Sequence, residues 1–110
     1  MAVPVWYHVR DLDAACAFYG QLGFDVAYRD DDARWARLQA GEMEVGLAEG
    51  EPETEGPVAT VEVEDLKADA ERLRAAGVEV GTVLELTGTM RILDVFDPDG
   101  NRIQLTQELG

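Results

Sequence analysis

Apolar and polar residues alternate at the start of the chain. Val3, Val5, Tyr7 and Val9 take one parity and Pro4, Trp6, His8 and Arg10 the other, which predicts a strand with one apolar and one mixed face. The period then lengthens. Asp11 stands at a helix amino-cap, and Leu12, Ala15, Tyr19 and Leu22 recur at helical spacing with Cys16 and Phe18 on the flanks, until Gly23 supplies a left-handed stop. Strands are predicted over residues 24–28, 34–40 and 43–48, with Asp30-Asp31-Asp32 turning between the first two. Residues 49–57 hold two prolines, two glycines and four glutamates without periodicity and read as an exposed linker. A strand over 58–63 follows, then a helix capped by Asp65 with Leu66, Ala70 and Leu73 on its buried stripe and Gly77 at its end. Residues 78–86 read as a strand bent at Gly81, Thr87-Gly88-Thr89 as a turn, and 90–96 as the next strand. Asp97-Pro98-Asp99-Gly100-Asn101 then combines a preset φ, two residues that bond their own backbone and a glycine, which predicts a tight reversal into Arg102-Ile103-Gln104-Leu105-Thr106.

Both halves therefore read as βαβββ, and they superpose in sequence. At an offset of 54 residues Val9, Asp11, Leu12, Tyr19, Gly23 and Phe24 fall on Val63, Asp65, Leu66, Leu73, Gly77 and Val78; at 58, Val45 and Leu47 fall on Ile103 and Leu105. Cap, stripe, stop and following strand recur in register, so an internal duplication is inferred: one domain with module 1 at 1–48, a linker at 49–57 and module 2 at 58–110. One helix covers only one face of a four-stranded sheet. The other face is left open, and two such faces, side by side or swapped between chains, would enclose a cleft.

The chain has 110 residues, enough for a single core, and no apolar run near the ~20 residues of a membrane helix or charged-then-apolar leader is present. A cytoplasmic protein away from membranes is expected. With 23 acidic and 9 basic residues, a formal charge of −14, nucleic acid is a poor partner, whereas a cationic ligand is compatible. Many of the acids lie in the two predicted loops, which also suits simple solvation. The lone Cys16 has no disulfide partner within the chain and reads as a helix-packing side chain in preference to a nucleophile.

Val9-Arg10-Asp11-Leu12, Phe18-Tyr19, Leu22-Gly23-Phe24, the paired βαβββ layout and the closing Asp97-Pro98-Asp99-Gly100-Asn101-Arg102-Ile103-Gln104-Leu105 together resemble the vicinal oxygen chelate superfamily. That superfamily includes glyoxalases, extradiol dioxygenases, fosfomycin-resistance enzymes and bleomycin-resistance proteins. The resemblance implies an α+β fold, two tandem βαβββ modules forming a curved sheet around a cleft. It also implies metal-ligand positions at Pro4, Gly46, Val58 and Gln104. Three of these have no side-chain donor and the fourth is neutral, whereas a divalent ion wants three or more imidazoles or carboxylates, so no metal or other cofactor is expected. The same correspondence turns Trp6, His8, Glu44, Thr60, Glu62, Arg102, Gln104 and Thr106 to the cleft and, by alternation, Trp35, Arg37, Gln39, Ile92 and Asp94.

The expected ligand-binding set is Trp6, His8, Trp35, Arg37, Glu44, Asp94, Arg102 and Gln104. Each has a plainer alternative. Trp6 and Trp35 are either ligand platforms or anchors of a dimer interface; Arg102 and Asp94 either contact ligand or pair with each other. His8 is either a structural hydrogen-bonding partner or an acid or base. Three functions compete. The first is a metal-free homodimer, akin to bleomycin-resistance proteins, that sequesters an aromatic ligand, with cations favoured by stacking and by the acidic balance. The second is an enzyme, a glyoxalase-like lyase or isomerase using His8 with Glu44 or Asp94, or a dioxygenase-related enzyme with metal ligands displaced to His8, Glu44 and Glu62. The third is an accessory module whose open face binds another protein.

Overall fold

The computed structural model describes residues 5–52, 56 and 58–109; Val3 and Pro4, and part of the expected linker, lie outside them. Two antiparallel-rich sheets carry one helix each. The first contains β1 (Val5–Val9), β2 (Asp25–Asp30), β3 (Trp35–Ala40) and β4 (Met43–Glu49) in the order β1-β4-β3-β2, with α1 (Leu12–Gln21) crossing from β1 to β2. The second contains β5 (Ala59–Glu62), β6 (Glu79–Val80), β7 (Leu84–Leu86), β8 (Met90–Phe96) and β9 (Arg102–Glu108) in the order β5-β9-β8-β6, with β7 also on β8 and α2 (Leu66–Ala75) crossing from β5 to β6. In each sheet the first strand pairs parallel to the last, β1 with β4 and β5 with β9. No helix among the described residues is long and apolar enough to cross a membrane.

The helices start and stop where local chemistry requires. Asp11 and Asp65 are the amino-caps, their carboxylates accepting the N–H of Ala14 at 3.2 Å and of Ala68 at 3.1 Å. Gly23 and Gly77 follow the carboxyl ends at φ +96° and +82°, a conformation that costs a side-chain-bearing residue dearly. Leu12, Ala15 and Tyr19 of α1 pack on Val9, Leu38, Val45 and Leu47, and Leu66, Ala70 and Leu73 of α2 join Leu93, Val95, Ile103 and Leu105 in the same continuous core. Burying a leucine or valine is worth about 1.5–3 kcal/mol, so these two inward stripes hold helix to sheet.

The duplication is visible in atomic detail. The N–H of Leu12 donates to Glu49 at 3.1 Å, and that of Leu66 to Gln107 at 3.0 Å; the two pairs are related by the offsets of 54 and 58 found in the sequence. Glu49 is thus the last residue of β4 and a tertiary cap for α1, which corrects its expected place in the linker. The expected strand over 78–86 is broken into β6 and β7, because Gly81 leaves the ladder while its N–H bonds the Asp94 carbonyl at 2.8 Å. Module 2 is therefore βαββββ, with two short strands where module 1 has one. Among the described residues the two sheets share no strand pairing, so the α+β architecture is open, one sheet to each module.

The modules are joined by side chains. Asp97, buried at 4% exposure, accepts the Tyr19 hydroxyl of α1 at 3.0 Å, the N–H groups of Asp99 and Asn101, and the Asn101 amide. Asn101 donates in turn to the His8 carbonyl at 3.0 Å. The Tyr7 hydroxyl sits at the mouth of the β5–β9 ladder, accepting from the Ala59 N–H at 2.8 Å and donating to the Arg102 carbonyl at 2.6 Å. Burial pushes the Tyr19 hydroxyl well above the ordinary tyrosine range and raises that of Tyr7, Asp97 adding to both, so both are neutral donors here. The Asp97–Asn101 reversal is thereby a clamp between modules as well as a turn.

Candidate functional site

Strand register places the expected residues on two open faces. On the first sheet Trp6, Gly46, Arg37 and Tyr28 form one row across β1, β4, β3 and β2, and His8, Ala48, Trp35 and Asp30 form the next. Between the two tryptophans β4 presents Gly46 and Ala48 on this face, so the indoles meet over it, with ring centroids 5.8 Å apart. Tyr28 extends the cluster, 5.1 Å from Trp35. A Cβ on Gly46 would fall 2.4 Å from the Trp6 ring, so the absence of a side chain is what lets that indole lie down. Trp6 remains 45% exposed and Tyr28 48%, an apolar and aromatic platform facing outward. Arg37 and Glu44 on the same face form a 3.7 Å ion pair, half-exposed and worth little to stability.

Tyr28 escapes sequence reasoning. Simple alternation gives it the parity of buried Phe24 and points it toward the helix, but the register with β3 slips between Val26 and Tyr28 and turns it outward. Nothing in the local sequence announces that bulge.

On the second sheet Asp94 is opposite Gln104, with the Gln104 amide at 3.4 Å and the Arg102 guanidinium at 3.7 Å from its carboxylate. Thr60, Glu62, Thr106 and Ile92 share this face with them. His8 and Glu44 are not brought together: His8 is opposite Ala48 and Glu44 lies four residues back along β4, about 13 Å at the strand rise, while Asp94 is on the other sheet. Glu44 is engaged by Arg37, and Asp94 by Arg102. Burial raises the Cys16 thiol, opposed by Arg29, which disfavours the thiolate a nucleophile needs.

The side chains at the positions where the resemblance implies metal ligands do not fit a metal. Gly46 is roofed by Trp6, Val58 is apolar, and Gln104 spends its amide on Asp94, while Pro4 lies outside the described residues. Among the described residues no three His, Cys, Asp or Glu side chains converge, and His8, Glu44 and Glu62 do not form a displaced set.

A groove of about 910 Å³ opens elsewhere, between the β3–β4 turn and β5, lined by residues 40–43 and 60–64 with Leu22 and Gly23. Of the residues expected in a cleft only Thr60 and Glu62 reach it. It was not legible in the sequence, because it arises from how the two modules meet and not from any motif.

The model of the Glyoxalase/Bleomycin resistance protein/Dioxygenase superfamily matches residues 4–105. No curated protein matches the sequence. Among solved structures the chain is similar to a bleomycin resistance determinant encoded on the transposon Tn5, with 21% identity over 98% of each chain and a TM-score of 0.77. It is similar to a bleomycin-binding protein complexed with bleomycin, with 24% identity over 98% of each chain and a TM-score of 0.74. It is also similar to the fosfomycin resistance protein FosX of Listeria monocytogenes complexed with Mn(II) and sulfate, with 18% identity over 98% of this chain and 90% of that one and a TM-score of 0.82.

Proposed function

From the premise that the chain belongs to the glyoxalase/bleomycin resistance protein/dioxygenase superfamily, we propose that it is a metal-free small-molecule-binding protein that sequesters an aromatic, preferentially cationic ligand on its Trp6–Trp35–Tyr28 platform. The observation that carries this reading is the exposed three-ring cluster laid over Gly46 and Ala48. Stacking needs a flat, rigid and accessible π surface, and cation–π attraction adds about 0.5–2 kcal/mol for a charged ligand. The formal charge of −14 raises the local concentration of cations. Sequestration requires no reacting groups, which suits carboxylates already engaged by arginines. In this reading the protein works in the cytoplasm, where a lone cysteine stays reduced, and as a homodimer. The dimer is supported by the exposed apolar residues Val26, Leu84 and Leu86 outside the platform.

The test is a tryptophan-fluorescence titration of metal-stripped protein with N-methylquinolinium and with bleomycin, the ligand of one structural neighbour. Saturable quenching by at least one of them is expected, and Trp35→Ala should abolish it, leaving only the linear collisional component. Saturable quenching that survives Trp35→Ala would put the ligand elsewhere, and its absence with both probes would remove the support for an aromatic cation.

A further inference from the structure

Each module has the same edge problem, and only one is solved from within. β1 is an edge strand of its sheet; its odd residues bond β4, as the Gly50 N–H to the Val9 carbonyl at 2.8 Å shows, so the polar backbone of Trp6 and His8 faces outward. The five-residue turn between β8 and β9 covers the carboxyl end of that edge. Asn101 donates to the His8 carbonyl, and Asp99 accepts the Arg10 N–H at 3.3 Å.

β5 occupies the equivalent place in the second sheet. Its odd residues face β9, as the Val63 N–H to the Thr106 carbonyl at 2.7 Å shows, so the N–H and C=O groups of Thr60 and Glu62 point away from the sheet. The turn facing them, Gly41-Glu42, has two residues in place of five, and Met43 stands where the duplication puts Asn101 in module 2. A thioether has no proton to donate. Among the described residues nothing bonds these outward groups, and the groove of about 910 Å³ lies there instead. Its apolar residues are Leu22, Ala40, Met43, Val61 and Val63, its charged ones are Glu42, Glu62 and Glu64, and among the described residues no basic one lines it.

We propose that this groove takes an extended segment of a partner protein as an added strand on β5, with basic and apolar residues in alternation. Outward amides and carbonyls at every second residue match a polypeptide backbone, and the four residues of β5 extend for roughly 13 Å, room for a strand of about four residues. The added strand would set alternate side chains toward the carboxylates and toward the apolar residues. A second copy of this chain is the poorer occupant, since each copy brings a formal charge of −14 to an acidic rim. The site is separate from the aromatic platform and stands or falls independently of it.

The full-length protein is titrated with the peptide acetyl-Val-Lys-Val-Lys-Val-Lys-amide at low salt, following amide hydrogen exchange by NMR. Saturable binding is expected, with exchange at Thr60 and Glu62 slowed at least tenfold and affinity falling at least tenfold in Glu62→Lys. The all-glutamate analogue and an analogue N-methylated at alternate residues should not bind. Absence of binding, equal binding of the methylated analogue, or slowing that is absent at these two amides would each overturn the proposal. So would slowing that appears with protein concentration alone, which would assign the edge to a second copy.

Discussion

Replacing Gly46 by alanine probes the aromatic platform without removing either indole. The new Cβ would stand 2.4 Å from Cδ2 and Cε3 of Trp6 and 2.6 Å from Cζ3. Carbon atoms rest at about 3.5–4.0 Å, so the ring has to lift by roughly 1–1.5 Å or swing to another rotamer. Trp6 is half-exposed and free to do so; the backbone of β4 need not move. What is lost is the contact with Trp35 at 5.8 Å, worth about 0.5–1.5 kcal/mol. Alanine returns about 0.5–1 kcal/mol over glycine in a strand, so the two effects nearly cancel in stability.

Gly46→Ala is therefore expected to fold normally, with a melting temperature within a few degrees of the parent, yet to lose the far-ultraviolet circular dichroism couplet of two adjacent indoles. Its affinity for N-methylquinolinium should fall by roughly fivefold to tenfold, the equivalent of about 1–1.4 kcal/mol. A couplet of unchanged amplitude together with unchanged affinity would refute the reasoning, because Trp6 could not then be lying on Gly46.

Three further outcomes follow from the clamp and the tertiary cap. Tyr7→Phe leaves the Ala59 N–H and the Arg102 carbonyl without their bridging hydroxyl and should cost about 1–3 kcal/mol in urea unfolding; a cost near zero would mean that the ladder closes by itself. Asp97→Ala removes an acceptor of four hydrogen bonds, from Tyr19, Asp99 and Asn101, and should cost roughly 3–5 kcal/mol in the same assay. The Arg34 guanidinium, and then the Leu12 N–H, hold the Glu49 carboxyl below the usual glutamate range. Its contribution to stability is therefore present above about pH 4.3 and is lost as pH falls through the depressed native value. Melting curves between pH 5 and 3 should fall more steeply for the parent than for Glu49→Gln, and parallel slopes would contradict the assignment.

The parts of this chain legible in its sequence are those governed by neighbours in sequence. Asp11 and Asp65 cap because a short carboxylate before a helix satisfies its first N–H groups, and Gly23 and Gly77 stop because the chain there turns left-handed. Alternation correctly sorted Trp6, His8, Trp35 and Arg37 from Val5, Tyr7, Val9, Ala36 and Leu38, since a one-residue error would bury a charge. What escaped depends on partners distant in sequence. Tyr28 faces outward only because β2 slips against β3, Glu49 leaves the linker because β1 and the β3 side of the sheet extend the ladder to it and α1 offers it an N–H, and His8 and Glu44 share a face yet stand too far apart to share a proton.

The same distinction explains why a duplicated sequence need not build a symmetric molecule. The two modules agree wherever a residue answers to its own helix or ladder, as Leu12 with Glu49 and Leu66 with Gln107 do. They part where one module answers to the other. Asn101 and Asp99 reach the outer edge of β1 across a turn long enough to carry them, whereas Gly41-Glu42 is too short and Met43 too inert to do the same for β5. An edge left with its amides outward is normally a liability for aggregation, and here it is flanked by Glu42, Glu62 and Glu64, whose like charges repel a second acidic copy. The carboxylates that protect the edge from its own kind are the ones that would admit a basic strand.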